Sequence, residues 1–188
     1  MNQVVITSGL LLKVMLLVLV IVAFHKWWRY RKEKNWALFE SQIFSLLTVY
    51  YVCIIFSFTL LPISYPSLVS SSFELNLNVL ELFNSFSNRY ALISNAENVL
   101  LFMPLTILAY CSNFKKFKQL KWCALLAFAV SLIVEALQGV EAMAQLLEDS
   151  MPVCDINDLI CNTLGGILGY YVIYFYKKEH TDGSVQRG

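Results

Sequence analysis

The chain has 188 residues, 58% of them apolar and 14% charged, with a mean hydropathy of +0.61. That is too little polar surface to coat a water-soluble globule of this size, so lipid is expected to cover much of it. The net charge of +1 is spread over short basic clusters between apolar runs, a pattern that excludes the continuous basic face a nucleic acid needs.

Five stretches are long and apolar enough to cross about 30 Å of hydrocarbon as helices: Val4 to Phe24, Leu38 to Leu61, Asn95 to Cys111, Trp122 to Gln138 and Leu159 to Tyr176. The third and fourth are short, so either their polar ends sit near the headgroups or the local bilayer thins. No cleavage motif follows the first run, and Lys13 lies within it, so it reads as a retained span. Lys13 falls about 14 Å into that helix, where it either pairs with an acid or snorkels.

Orientation follows from the bases, because Lys and Arg are retained on the cytoplasmic side of short loops. Lys26, Arg29, Arg31, Lys32 and Lys34 fill the first connection. Lys115, Lys116, Lys118 and Lys121 fill the third, and Lys177, Lys178 and Arg187 the tail. Twelve of the 14 bases then share one side, leaving Lys13 within a span and Arg89 on the other side. The expected architecture is an all-α membrane protein: a bundle of about five transmembrane helices, amino terminus outside, carboxyl terminus cytoplasmic. One membrane domain spans 1–188, with an extra amino-terminal helix over 4–24 and a cytoplasmic tail over 177–188.

The external connections carry the acids. Pro62 to Ser94 is rich in Ser and Asn and holds Glu74 and Glu81; its Phe73 to Phe83 portion suits either a surface-lying segment or, from the alternation in Glu74 to Val79, a short strand. In Gly139 to Cys154, Val140, Met143 and Leu147 recur at helical spacing, which predicts a short amphipathic helix in the headgroup plane. Trp27, Trp28 and Tyr30 among bases read as an interfacial anchor. Pro104 is expected to bend the third span, and Gly165 and Gly169, with Gly166 beside them, to let the fifth approach a neighbour closely. Cys53, Cys111, Cys123, Cys154 and Cys161 show no disulfide or zinc spacing and read as small packing residues.

The polar residues of three spans fall at one depth. Asn95 and Asn98 open the third, Glu135 and Gln138 close the fourth, and Asp155, Asp158 and Asn162 open the fifth, each set on one helical face. A pocket in the outer leaflet is the expected result, because ionised groups facing lipid cost several kcal/mol. Structural roles compete. Asp155 and Asp158 are spaced as an N-cap and an N3 acid, and Asn98, Gln138 and Asn162 suit interhelical hydrogen bonds of roughly 0.6 to 2 kcal/mol. Glu135 stands apart, since no cap explains an acid in a last helical turn, where the dipole opposes it.

Asn98-Val-Leu-Leu-Phe102-Met-Pro104, Glu135-Ala-Leu-Gln138 and Asp155-Ile-Asn-Asp158-Leu-Ile-Cys-Asn162-Thr163-Leu-Gly165-Gly166, in that order, together with Thr59-Leu-Leu-Pro62, resemble the VanZ-like family of bacterial membrane proteins over about 50–176. The resemblance implies an envelope protein of a family whose founding member gives low-level resistance to the glycopeptide teicoplanin. Two positions depart from the family pattern: Pro152 stands where an Arg is usual, and Glu81 where Pro is frequent.

The functional expectation is a non-enzymatic protein whose pocket (Asn95, Asn98, Glu135, Gln138, Asp155, Asp158 and Asn162) binds an amphiphilic molecule. Expected partners are membrane lipids and a lipid-linked cell-wall precursor or glycopeptide, with no nucleic acid, metal or cofactor. The alternative is an intramembrane hydrolase or transferase using Glu135 or Asp158 as acid or base on a headgroup. Against it, no Ser or Cys is adjacent to a His, and His25 and His180 lie on the cytoplasmic side. A transporter fits less well, since the polar set does not continue through the bilayer.

Overall fold

The computed structural model describes residues 4–6, 8–61, 63–65, 74–84, 88–143 and 153–185. In chain order these form β1 (Val4–Ile6), α1 (Ser8–Glu33), α2 (Trp36–Leu60), β2 (Ile63–Tyr65), β3 (Glu74–Asn76), α3 (Leu80–Asn84), α4 (Arg89–Cys111), a 3-10 turn (Lys115–Lys118), α5 (Leu120–Met143), β4 (Val153–Asp155) and α6 (Ile156–Val185). Four described helices, α2, α4, α5 and α6, are long and apolar enough to cross a membrane. They carry four of the five expected spans.

The first expected span is divided. The β-branched run Val4–Ile6 is extended and pairs antiparallel with Ile63–Tyr65, so the helix starts at Ser8 and continues through the basic cluster to Glu33. It ends where Lys34 turns to φ 52° and donates its N–H to the Tyr30 carbonyl at 2.7 Å. One residue later the Asn35 side chain accepts from the Leu38 N–H at 3.1 Å and starts α2. The left-handed residue and the cap thus fold α1 back onto α2 within two positions.

The third and fourth spans are longer than their apolar runs. Asn88 caps α4 by accepting from the Tyr90 N–H at 3.0 Å, so the helix opens at Arg89 and has 23 residues, about 34 Å at 1.5 Å per residue. Helix α5 runs on through Val140 to Met143 instead of breaking at Gly139. Val140 and Met143 of the expected amphipathic helix therefore belong to α5, and Leu147 lies outside the described residues. Of the two readings for Glu74 onward, the strand holds for Glu74–Asn76, which pairs in parallel with Val153–Asp155.

Helix α6 packs chiefly on α4 and then on α5, and α2 closes the other side of α4. A core of Ile55, Phe102, Leu105, Ala127, Val130 and Val134 lies between α2, α4 and α5. The expected glycine face is realised: a Cβ on Gly165 or Gly169 would overlap the Val99 or Met103 carbonyl of α4, and one on Gly166 the Ala127 side chain of α5. Pro104 sits within the continuous α4 and leaves the Leu100 carbonyl without its helical donor. On the neighbouring carbonyl, Leu101, the Tyr51 hydroxyl of α2 donates at 2.9 Å.

Helix directions sort the charges. The ends of α1, α4 and α6 meet the starts of α2 and α5 at a base-rich end, tied by Ser45 to Asn113 at 2.6 Å and by Tyr170 to the Lys118 carbonyl at 3.3 Å. The start of α6 and the carboxyl half of α5 meet the β3–β4 pair at the acid-rich end.

Candidate functional site

The acid-rich end is organised by the start of α6. Asp155 is the N-cap: its Oδ1 accepts from the Asn157 N–H at 2.8 Å. In an ordinary capping box the N3 acid, here Asp158, would reach back to the N-cap N–H. Instead Glu135 of α5 takes that N–H, its Oε2 accepting from Asp155 N at 3.0 Å. Asp158 is thereby free to turn to α4, where its Oδ1 accepts from Asn98 Nδ2 at 2.7 Å. An interhelical carboxylate closes the cap and releases a local one.

A second layer comes from the loop strands. Asn76 Nδ2 donates to Asp155 Oδ2 at 3.2 Å and to Glu81 Oε2 at 2.7 Å, while Asn78 Nδ2 donates to Glu81 Oε1 at 3.2 Å. Asn157, 5% exposed, donates to Asp155 Oδ1 at 2.8 Å and to the Asn78 carbonyl at 3.3 Å, and its own Oδ1 has no partner among the described residues. The Cys154 thiol bonds to Glu135. Burial, reinforced by the Glu135 charge, pushes the Cys154 thiol pKa up, which favours the protonated thiol that donates to Glu135.

Of the seven residues expected to converge, Asn98, Glu135, Asp155 and Asp158 do so, and Glu135 lies close enough to feel the charges of both aspartates. Asn162 is a turn deeper, 4% exposed, donating to Ser131 of α5 at 2.9 Å. Gln138 turns away: its amide donates to the Thr59 carbonyl of α2 at 3.1 Å, which makes it interhelical glue. Asn95 is half-buried, nearer the start of α4 than Asn98. Glu135, 4% exposed, is not in the last turn of its helix, because α5 continues to Met143; the opposing helix dipole is therefore weak at its position. Pro152 lies outside the described residues.

Sequence reasoning missed Asn76, Asn78, Asn157, Glu81 as a network member, and Ser131. Glu81 stood out as an acid of the external connection and as a departure from the family pattern, with nothing to place it beside Asp155. Among the described residues neither Arg89 nor Lys13 forms an ion pair with these acids, and no group of three or more His, Cys, Asp or Glu is arranged to hold a metal. The carboxylates are held instead by amides, backbone N–H groups and a thiol, which fix geometry without neutralising charge. Removing the Asn162 amide should be moderately costly: Asn162→Leu is expected to lower stability by about 1 kcal/mol, with thermal unfolding in detergent as the readout. Ser131→Ala in that background should add little.

The fold and site define a helical membrane protein with a preorganised acidic cluster at one end of three packed helices. A family model described as VanZ/LLP1 matches residues 47–177, and the chain belongs to that family. The match begins within α2 and leaves α1 outside it. No curated protein and no solved structure matches the chain.

Proposed function

We propose that this VanZ-like membrane protein resides in the cell membrane with its acid-rich end outside. There the cluster of Asn98, Glu135, Asp155 and Asp158 binds the headgroup of an amphiphilic or lipid-linked molecule, and so alters how a glycopeptide of the teicoplanin type reaches its target. The supporting observation is the cross-linked cap, in which Glu135 holds the Asp155 N–H and Asp158 is turned to Asn98. Three carboxylates carried on two helices and braced by amides present acceptors to hydroxyl and ammonium groups, the chemistry of sugar and peptide headgroups. The sidedness rests on the segregation of bases to the opposite end.

The test is expression in a susceptible Gram-positive host at equal membrane abundance. Wild type is expected to reduce teicoplanin susceptibility, and Glu135→Gln and Asp158→Asn to return it toward the level without the protein. Identical susceptibility in all strains rejects the resistance reading. Conversion of any lipid or wall precursor on expression, read by mass spectrometry, would replace binding with the hydrolase or transferase reading.

A further inference from the structure

The acidic network lacks one kind of group. The stretches 61–98 and 131–162, which between them contain all its carboxylates, hold nine Asp or Glu, one Arg, no Lys and no His. That Arg, Arg89, is exposed at the first residue of α4, about 14 Å along the helix from Asn98. Glu135 and Asp158 are met instead by a backbone N–H and a neutral amide. Such donors orient a carboxylate but leave its charge in place. For an acid as enclosed as Glu135 that is costly unless a positive charge or a proton reaches it.

A second observation lies one helical turn deeper. Asn162 follows Asp158 by four residues and Ser131 precedes Glu135 by four, so the Asn162–Ser131 hydrogen bond forms a floor beneath the two acids. Asn162 donates its amide to Ser131, and its Oδ1 has no partner among the described residues. Asn157, beside Asp155, repeats the pattern: its Nδ2 donates twice and its Oδ1 accepts from none of the described residues. Both side chains are almost completely buried. Buried acceptors are nearly always paired, so two orphans in the wall of one acidic cluster mark a place for a donor from outside the chain. Asp155 and Asp158, half-buried, open the cluster to the surface.

We infer, on the reading that this cluster binds a headgroup, that the headgroup carries a primary ammonium, which enters beside Asp155 and Asp158 and donates to the carboxylates of Asp158 and Glu135 and to the Asn162 amide oxygen. A primary ammonium concentrates a positive charge and three N–H donors on one atom, and so meets the missing charge and the orphaned oxygens together. A hydroxyl brings one donor and no charge. A quaternary ammonium brings the charge and no donor.

The full-length protein in a polyoxyethylene detergent is titrated at neutral pH with dodecylamine, dodecyltrimethylammonium or dodecyl glucoside, which share one chain and differ in the head, and bound molecules are counted by native mass spectrometry. Wild type is expected to bind the primary amine about tenfold more tightly than the trimethylammonium amphiphile, and the glucoside least. Asp158→Asn should bring both cations down toward the glucoside. Asn162→Leu should keep the preference of either cation over the glucoside while cutting that of primary over quaternary ammonium to about twofold. Glu97→Gln, exposed on α4 at the same end, is expected to match wild type. Equal binding of the two cations by wild type overturns the ammonium assignment, as does an equal fall in Glu97→Gln and Asp158→Asn, the mark of general attraction to a negative surface. Tighter binding of the glucoside also overturns it but leaves headgroup binding at the cluster standing. No saturable binding of any of the three removes both.

Discussion

Replacing Gly165 and Gly169 together by valine is expected to abolish accumulation of folded protein, whereas Gly9→Val leaves it unchanged. At both α6 positions an added Cβ meets a backbone carbonyl of α4, of Val99 and of Met103, and backbone cannot rotate away as a side chain can. Overpacking a close contact costs about 1–3 kcal/mol per site, more where the obstacle is rigid, against a total stability of about 5–15 kcal/mol. Gly9 has nothing within 4 Å of the added atom. The measurement is the folded fraction on size-exclusion chromatography after detergent extraction. The loss should reach the polar site too, because the same contact sets the height of Asp158 against Asn98. Single Gly165→Ala or Gly169→Ala variants should lie between the extremes.

The second large effect is at Glu135. Truncation to alanine leaves the Asp155 N–H and the Cys154 thiol without their acceptor in a buried setting, a loss of about 1–3 kcal/mol. Glu135→Gln keeps a carbonyl acceptor and should recover most of that stability while removing the charge. Hydrogen exchange separates the two: the Asp155 amide should exchange much faster in Glu135→Ala and near the wild-type rate in Glu135→Gln. Rapid exchange at that amide in wild type would show that Glu135 does not hold it. Together the two variants separate the bracing role of Glu135 from the charge that the proposed headgroup recognises.

Much of this arrangement was legible in the sequence because membranes impose simple rules. Apolar runs of sufficient length gave α2, α4, α5 and α6; the three separated polar blocks gave the family and the meeting of Asn98, Glu135, Asp155 and Asp158; small residues at i, i+4 gave a close approach of α6 to a neighbour, which the structure identifies as α4. What escaped depends on local competition. Hydropathy ends a span where polar residues begin, but Asn88 caps α4 two turns before Asn95, and α5 passes through Gly139, so both helices exceed their apolar cores. Gln138 shares a face with Glu135 by spacing, yet the Thr59 carbonyl at the end of α2 is a nearer partner. The loop residues Asn76 and Asn78 gave no signal, and Glu81 none that tied it to the site, since their place beside Asp155 depends on a parallel pairing between segments nearly eighty residues apart.

A double-mutant cycle at Asn98 and Asp158, followed by reversible unfolding in detergent, is the most direct measurement of whether α4 and α6 meet through these groups. Asn98→Ala and Asp158→Ala should couple by about 1–2 kcal/mol, the range for a hydrogen bond to a carboxylate in this setting. Strictly additive effects, with no coupling beyond about 0.3 kcal/mol, would mean that the two side chains point to separate neighbours and that the polar site does not exist.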